Sequence, residues 1–296
     1  MKRFDYNLMK KLIFAFLLAV TIVSCSDTPL RVGTYNLWRS DLGNDEYAWT
    51  VRKHRLIESI RNIGYDLFAA QEVDTTMIRE LPVLFEEAGL EYEIFIFSPY
   101  REDGGTGNKA QAVIYDPRRL VMLEDHHFWF SLTPDRMSSG WDEPKFKRGA
   151  CCFVFQDKWT GRKFFFMASH MPLGKEANTH AASIINERAR MYNPDNLPAL
   201  FTGDLNTRPD TPSSEILRSC WTDVYYALPK ENRSGPHGTF NSHNVAKDME
   251  AAQRIDYIYY KGDEIKPLSY CCDTTLYDGL YPSDHCPVYA DIQILN

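Results

Sequence analysis

The chain has 296 residues, of which 44% are hydrophobic and 25% charged, and its formal net charge at pH 7 is −7. This composition is that of a globular protein and excludes a disordered or fibrous chain. The negative charge disfavours tight binding to long nucleic acids, because little affinity can then come from released counterions. No repeat or linker interrupts the sequence after residue 30, so residues 30–296 are expected to form one domain.

The beginning of the chain predicts a targeting segment. Lysine and arginine residues flank an apolar stretch, residues 12–23, that is too short to span a bilayer. The ending Ile22-Val23-Ser24-Cys25 resembles a bacterial lipoprotein processing site. We expect a signal peptide at residues 1–24, lipidation of Cys25 and a tether at residues 25–29. The protein would then be exported and anchored to a membrane of the bacterial cell envelope, in the periplasm or at the cell surface. Ordinary signal cleavage and a weak membrane anchor are the alternatives.

Strand-like stretches rich in Val, Ile, Phe and Tyr follow, with a few helical patterns between them. Strands are predicted at residues 31–37, 67–72, 91–97, 110–115, 121–130, 149–156, 163–170, 198–204, 254–260 and 286–294. Helices are predicted at residues 48–63, 76–88 and 175–191, with a short one at 210–219. About ten strands with so few helices do not fit a barrel of alternating strands and helices. We expect two packed mixed sheets with helices outside them.

Polar residues that suit a cation or a phosphate adjoin these apolar runs, most of them at the end of a strand-like run. They are Asn36, Glu72, His170, Asp204 with Asn206, Asp256, and the pair Asp284-His285. Carboxylates beside buried strands are unfavourable unless a partner compensates for their lost hydration, as a divalent metal does. Singly, each residue has an ordinary explanation, because Asn and Asp form turns and a lone histidine is usually structural. Together and in this order, they predict a catalytic site.

The residue types favour a hard cation. Oxygen ligands, with no cysteine and no histidine pair at helical spacing, suit Mg²⁺ or Mn²⁺ better than zinc. Glu72 is the best predicted ligand, and Asn36 and Asp284 complete its shell.

The other polar residues suit hydrolysis by water. Asp204 would orient or deprotonate the attacking water, and Asn206 would fix its geometry. Asp256 would hold the tautomer of His285, while His170 would stabilise a phosphate oxygen or the leaving oxygen. No Gly-x-Ser-x-Gly turn is present to suggest a covalent serine nucleophile.

Five segments resemble the ordered motifs of the endonuclease/exonuclease/phosphatase superfamily. They are Thr34-Tyr35-Asn36-Leu37, Gln71-Glu72-Val73, Gly203-Asp204-Leu205-Asn206, Arg254-Ile255-Asp256-Tyr257-Ile258 and Ser283-Asp284-His285-Cys286-Pro287-Val288. The resemblance implies an α/β (α+β) fold, a four-layered αββα sandwich of two mixed β-sheets flanked by helices. It also implies Mg²⁺-dependent hydrolysis of a phosphoester, with the residue roles given above. The substrate stays open between nucleic acid, phospholipid and sugar phosphate.

A second block resembles bacterial members near the deadenylase branch. It comprises Phe128-Trp129-Phe130-Ser131-Leu132-Thr133-Pro134-Asp135 and Gly140-Trp141-Asp142. In those relatives an arginine follows, and Arg148 is its counterpart, which would clamp phosphate unless it is a surface residue. Among the aromatic residues, Trp38 or Trp141 is expected to contact the substrate.

Three positions depart from the family pattern, all on the substrate side of the predicted site. The acidic residue after the Ser169-His170 motif is replaced by Pro172, an arginine of the next helix by His180, and an acidic residue before residues 113–115 by Lys109. We therefore expect retained hydrolysis with an altered substrate pocket that includes His180.

These features predict a lipid-anchored, monomeric, Mg²⁺-dependent phosphoester hydrolase. Phosphodiesters are favoured as substrates, since two histidines suit a leaving alkoxide. One alternative is a non-catalytic binding lipoprotein that kept the fold. Another is a glycoside hydrolase, which is disfavoured because it gives Asn206 and both histidines no task.

Six cysteines follow Cys25, at positions 151, 152, 220, 271, 272 and 286. They are expected to be small buried residues, although an exported protein could form one disulfide among them. Their spacing does not favour structural zinc.

Overall fold

The computed structural model describes residues 28–99 and 110–295. The predicted signal peptide, Cys25 and Lys109 lie outside the described residues. None of the described helices combines the length and hydropathy needed to cross a bilayer.

The described residues form two mixed β-sheets of seven and six strands. The strands are β1 (Leu30–Asn36), β2 (Leu67–Val73), β3 (Glu93–Phe97), β4 (Ala110–Tyr115), β5 (Leu120–Trp129), β6 (Gly149–Asp157), β7 (Lys163–His170), β8 (Ala199–Asp204), β9 (Thr222–Asp223), β10 (Arg233–Ser234), β11 (Asp256–Lys261), β12 (Ile265–Cys272) and β13 (Val288–Ile294). The larger sheet has the order β10-β12-β13-β1-β2-β4-β3, and the smaller has β5-β6-β7-β8-β11-β9.

The helices follow the expected sequence patterns. They are α1 (Trp49–Ile63), α2 (Thr75–Glu87), α3 (Lys175–Tyr192), α4 (Pro212–Arg218) and α5 (Val224–Ala227), with short 3₁₀ turns at Asp45–Tyr47 and Lys230–Asn232. The side chain of Asp74 caps α2 by accepting hydrogen bonds from the backbone N–H groups of Thr76 and Met77. Helix α1 ends at Gly64, whose φ of 67° is a backbone conformation that glycine adopts without strain.

Three apolar clusters produce the four layers. One fills the space between the sheets with residues such as Phe166, Leu200 and Val288. A second joins α1 and α2 to the outer face of the seven-stranded sheet. A third joins α3 and α4 to the outer face of the six-stranded sheet. The αββα sandwich expected from the sequence is therefore the observed fold, and burial of these apolar faces is its main stabilising contribution.

The sheet topology brings the polar ends of several strands together. Strands β1 and β2 are parallel, with Asn36 opposite Gln71, and β7 and β8 are parallel, with His170 opposite Asp204. Strand β11 runs antiparallel to β8, so its first residue, Asp256, also lies opposite Asp204. Asp256 therefore begins its strand instead of ending one, and the antiparallel pairing puts it at the same edge.

The backbones of β7 and β8 approach each other closely at this edge. Gly203 lies opposite Ser169 across β7 and β8. A Cβ atom at position 203 would collide with the carbonyl oxygen of Ser169. The motif glycine therefore lets the two strands meet directly before His170 and Asp204.

All ten predicted strands are present, with bounds shifted by at most about two residues, within the usual uncertainty of such bounds. The prediction missed β12, in which Lys266 and Pro267 interrupt the apolar pattern, and the short elements β9, β10 and α5. The six cysteines of the described residues are free thiols, and four of them are buried: Cys151, Cys152, Cys272 and Cys286.

Candidate active site

Asp204 is at the centre of the polar cluster. Its Oδ2 accepts a hydrogen bond from Asn36 Nδ2 at 3.0 Å and lies 3.3 Å from His170 Nε2. The same oxygen is 3.8 Å from His285 Nε2, and Oδ1 accepts a hydrogen bond from the backbone N–H of Asn206 at 3.0 Å. Five predicted site residues from four separate segments therefore meet around one carboxylate.

The surroundings of Asp204 keep it ionised. Burial raises its pKa, but the charges of the His170 and His285 rings and the hydrogen bonds from His170 and Asn36 outweigh burial and hold the pKa well below its ordinary value. An ionised carboxylate at this place can accept a hydrogen bond from a water molecule and orient it.

Asp256 holds His285 from the side opposite Asp204. His285 Nδ1 lies 2.9 Å from Asp256 Oδ2 and 3.2 Å from Oδ1. This contact fixes the ring and leaves Nε2 facing Asn36 and Asp204. The predicted pairing of the two residues is therefore present in the geometry.

Thr239 was not anticipated from the sequence. Its hydroxyl donates a 2.6 Å hydrogen bond to Asp256 Oδ2 and accepts hydrogen bonds from the backbone N–H groups of Ile255 and Asp256. The residue is 0% exposed. It lies in a loop without periodicity, one residue before Phe240, which forms a β-bridge with His285, so no local sequence signal indicates it.

His170 closes β7 against the same carboxylate. Its pKa is lowered, mainly by burial and next by the positive charge of Arg148, against the opposing effect of Asp204. Burial and Arg148 therefore favour the neutral ring, whereas Asp204 favours the protonated one. Asn206 lies beside it, because its Nδ2 donates a 3.0 Å hydrogen bond to the Met171 carbonyl.

Glu72 and Asp284 form the acidic side of the site. Glu72 has a φ of 58° and sits where the pairing of β2 with β4 shifts register between Ala70 and Val73. The bulge turns one residue out of the regular alternation of the strand. Burial, together with the charges of Glu72 and Asp204, raises the pKa of Asp284 to about 6 against the opposing effects of His285 and Arg52.

These carboxylates fit a hard divalent cation. Asp284 accepts one hydrogen bond from the described side chains, a long one of 3.4 Å from Ser283 Oγ, although neighbouring negative charges disfavour its ionisation. A cation bound between Glu72 and Asp284 would compensate for that repulsion with oxygen ligands. The oxygen of Asn36 accepts a 3.1 Å hydrogen bond from the backbone N–H of Trp38, which leaves it one lone pair for the same ion.

A second group also has the geometry to hold a metal. Ligand atoms of Asp204, Asp256 and His285 all lie within 4.8 Å of one another. However, the Asp256 oxygens already form hydrogen bonds with His285 Nδ1, and Asp256 Oδ2 also accepts one from the Thr239 hydroxyl. These hydrogen bonds would compete with a metal ion bound by this group.

Arg148 lies on the other side of His170. It is 3% exposed, and its Nε and Nη1 have no hydrogen-bond partner among the described residues. Its nearest carboxylate oxygen, Oε1 of Glu143, is 3.9 Å away. The alternative that Arg148 is a surface residue is therefore wrong, and a buried guanidinium with free donors suits an anion.

The two tryptophans predicted to contact the substrate lie in different places. Trp141 stacks on His180, with ring centroids 4.5 Å apart and planes 10° apart. Trp38 packs against His243 at 4.1 Å and lies under the guanidinium of Arg52. Both tryptophans are half-buried, whereas Trp129 is in the core at 4% exposure.

Comparison with known proteins agrees with this arrangement. The sequence model described as "Endonuclease/Exonuclease/phosphatase family" matches residues 33–285. An uncharacterised protein, L388, of Acanthamoeba polyphaga mimivirus is 26% identical over 163 residues, which are 54% of this chain and 60% of the viral protein. This chain therefore matches less than two thirds of that relative's length.

Solved structures are similar over nearly the whole chain. The mannosyl-6-phosphatase of Bacteroides thetaiotaomicron VPI-5482 has a TM-score of 0.76 and 27% identity, covering 89% of this chain and 99% of that one. A further family protein from Bacteroides thetaiotaomicron has a TM-score of 0.78 and 26% identity, covering 90% of this chain and 97% of its own. The human Nocturnin catalytic domain has the same fold, with a TM-score of 0.70 and 21% identity, covering 90% of this chain and 93% of its own.

Proposed function

Because this chain belongs to the endonuclease/exonuclease/phosphatase family, we propose that it hydrolyses a phosphoester with the help of one divalent cation, Mg²⁺ or Mn²⁺. The observation that carries this proposal is the meeting of Asn36, His170, Asn206 and His285 around the ionised carboxylate of Asp204. Glu72 and Asp284, with Asn36, would hold the cation. When bound, the cation polarises the phosphate oxygens and offsets their charge.

The other side chains of the site have separate roles in the hydrolysis. Asp204 orients a water molecule whose oxygen forms the new bond to phosphorus, and Asn206 fixes Asp204 and the adjoining strand end. The attacking water gives up one proton as its oxygen bonds to phosphorus. The bond from phosphorus to the alcohol oxygen breaks, and the alcohol leaves with one proton, so ester and water become phosphate and alcohol. His170 and His285, aimed at the same centre, donate hydrogen bonds to the oxygens on which charge develops.

We further propose that the substrate is a phosphorylated sugar and a phosphomonoester. The buried Arg148, whose Nε and Nη1 lack a hydrogen-bond partner within residues 28–99 and 110–295, suits the additional negative charge of a terminal phosphate. The mannosyl-6-phosphatase similar to this chain supports the same substrate class. This choice departs from the preference for diesters that was based on the two histidines.

The cellular place is also proposed from the sequence. The positive leader, its short apolar stretch and Cys25 support export and lipid anchoring in the cell envelope. Mass spectrometry of the membrane fraction would detect a diacylglyceryl group on Cys25, and a Cys25→Ala variant should appear in the soluble fraction.

The test of activity uses the mature protein with a hexose 6-phosphate, glycerol 3-phosphate and bis(4-nitrophenyl) phosphate. With Mg²⁺ we expect released phosphate from the monoesters, loss of release with a chelator, and recovery when Mg²⁺ is restored in excess. Stronger turnover of the diester would overturn the monoester proposal. Binding of a hexose phosphate without turnover of any ester would instead support a binding protein that kept the fold.

A further inference from the structure

We propose that the stacked rings of Trp141 and His180 form the surface that binds the sugar ring of the substrate while Arg148 holds its phosphate. The inference rests on the proposed function, because it names the part of the enzyme that selects the alcohol side of the ester. It concerns the segment from Trp141 to Arg148 and the first half of α3.

This segment is fixed to the beginning of α3 by hydrogen bonds. Asp142 accepts from the backbone N–H groups of Ala177 at 2.8 Å and Glu176 at 3.0 Å, and Glu143 accepts from Gly174 at 2.8 Å. Gly174, the N-cap of α3, has no side chain to cap the helix, so Asp142 supplies the cap from another part of the chain. A Cβ at position 174 would collide with Asp142, so the glycine is required for this contact.

The same segment leads to the reaction centre. Glu143 Oε1 is 3.9 Å from Arg148 Nε. The positive charge of Arg148 is the second largest cause, after burial, of the lowered pKa of His170. Gly149, next to Arg148, pairs directly with His170 across β6 and β7. The segment that begins at Trp141 therefore leads through Glu143 and Arg148 to the strand pair that carries His170.

Trp141 has two properties of a ligand-binding residue rather than a core residue. Its φ of 56° is a backbone conformation that a bulky residue rarely adopts. It is half-buried, whereas Trp49, Trp129 and Trp221 are each 4% exposed in the core. Strain of this kind is found where the surrounding structure holds a residue for a task.

The chemistry of the pair suits a sugar. A pyranose ring has a face of C–H groups that packs on a flat aromatic surface, and Trp and His add N–H groups at the edge for hydroxyls. His180 is exposed on α3, stacked nearly parallel to Trp141, and stands where the family resemblance has an arginine. An aromatic ring in place of a cation adds stacking area and removes a charge, which favours a neutral ring over a second anionic group.

The experiment compares His180→Ala, Trp141→Ala and Trp141→Phe on three substrates: a hexose 6-phosphate, a nucleoside 5′-monophosphate and glycerol 3-phosphate. His54→Ala is the matched control, because His54 is an exposed histidine on α1. For the hexose phosphate, we expect KM to rise roughly tenfold in His180→Ala and Trp141→Ala, the scale of a lost aromatic contact, and less in Trp141→Phe. For glycerol phosphate, which has no ring, kcat/KM should stay within about twofold of the wild type.

Three results would overturn the inference. They are equal losses on all three substrates, no loss on the hexose phosphate, and a larger loss on the nucleotide than on the hexose phosphate. Because His180 is exposed, its replacement does not threaten folding. If Trp141→Ala fails to fold, His180→Ala still decides the test. If the wild type hydrolyses none of these esters, the proposed function fails, and calorimetric binding of the hexose phosphate decides the inference separately. Binding that His180→Ala loses would support the sugar surface, and absence of binding to the wild type would refute it.

Discussion

Asp204 and Asp256 lie directly opposite each other across β8 and β11, yet their pKa values are shifted in opposite directions. Both side chains are buried. Burial prevails for Asp256 and raises its pKa, whereas two histidine rings and the Asn36 amide prevail over burial for Asp204 and lower its pKa. The two carboxylates therefore differ in their surroundings: Asp204 is ionised among Asn36 and two histidines, and Asp256 holds His285.

Replacement of Asp204 should separate catalysis from metal binding. Asp204→Asn keeps the shape but removes the charge that orients water, so kcat should fall at least ~10²-fold. Calorimetric Mg²⁺ affinity should change far less, because Glu72 and Asp284 remain. The exposed Asp210→Asn is the control with the same chemical change. Full turnover in Asp204→Asn would remove this residue from the mechanism.

Replacement of Glu72, on the acidic side of the site, should weaken metal binding. Glu72→Gln removes a negative oxygen ligand, so the dissociation constant of Mg²⁺ measured by calorimetry should rise by about tenfold or more. Raising the Mg²⁺ concentration should restore part of the activity of Glu72→Gln but none of that of Asp204→Asn. Glu86→Gln, on the exposed face of α2, should bind Mg²⁺ like the wild type. An unchanged Mg²⁺ affinity in Glu72→Gln, together with a loss in Asp256→Asn, would move the metal to the Asp204, Asp256 and His285 group.

Thr239 should act on the reaction through Asp256. Thr239→Val keeps the shape of the side chain but leaves Asp256 without the 2.6 Å hydrogen bond and two backbone N–H groups without their acceptor. The free energy of unfolding should fall by about 1–3 kcal/mol, and kcat should fall while KM changes little. Thr239→Ser restores the hydroxyl, so it should recover kcat even though a methyl group is missing. Equal kcat values for the Val and Ser variants would show that the residue only fills space.

His243 predicts a pH dependence of stability. Both of its ring nitrogens are buried without a hydrogen-bond partner among the described residues, and burial, followed by Arg52, His285 and Arg55, lowers its pKa to about 4. In the unfolded chain the pKa is about 6.5. Below about pH 6.5 the unfolded chain therefore binds a proton that the folded protein does not, and stability is lost progressively as the pH falls towards 4.

The variant His243→Phe should remove that contribution while keeping a ring against Trp38 and Tyr47. We expect the free energy of unfolding, measured with urea, to differ less between about pH 7.5 and about pH 5 than it does in the wild type. The exposed His54→Phe should keep the wild-type difference. The same difference in all three proteins would show that His243 is protonated in the folded state.

The sequence predicts the residues of the site better than their contacts. Asn36, Asp204 and His170 are recognisable because each closes an apolar run, and strand pairing then brings such ends together. Asp256 begins β11 and His285 precedes β13, so only an antiparallel neighbour places each of them at the same edge, and no local pattern encodes that neighbour.

Contacts between distant segments explain the remaining differences. Thr239 and Asp142 carry out their tasks through hydrogen bonds to residues far along the chain, so a threonine in a loop and an aspartate before a charged stretch look ordinary in the sequence. Arg148 could not be distinguished from a surface arginine until its burial was known. Strand β12 was missed because its pairing with β13, rather than its own apolar pattern, makes it a strand.

The direction of β1 has a consequence for how the enzyme would meet its substrate. The strand begins at Leu30 and ends at Asn36 in the site, so these residues are separated by roughly 20 Å, at about 3.3 Å a residue. A lipid on Cys25 would therefore hold the sandwich by the end remote from the reaction centre. The active site of such an enzyme would face away from the membrane, so its substrates would be dissolved metabolites and not the headgroups of the bilayer to which it is attached.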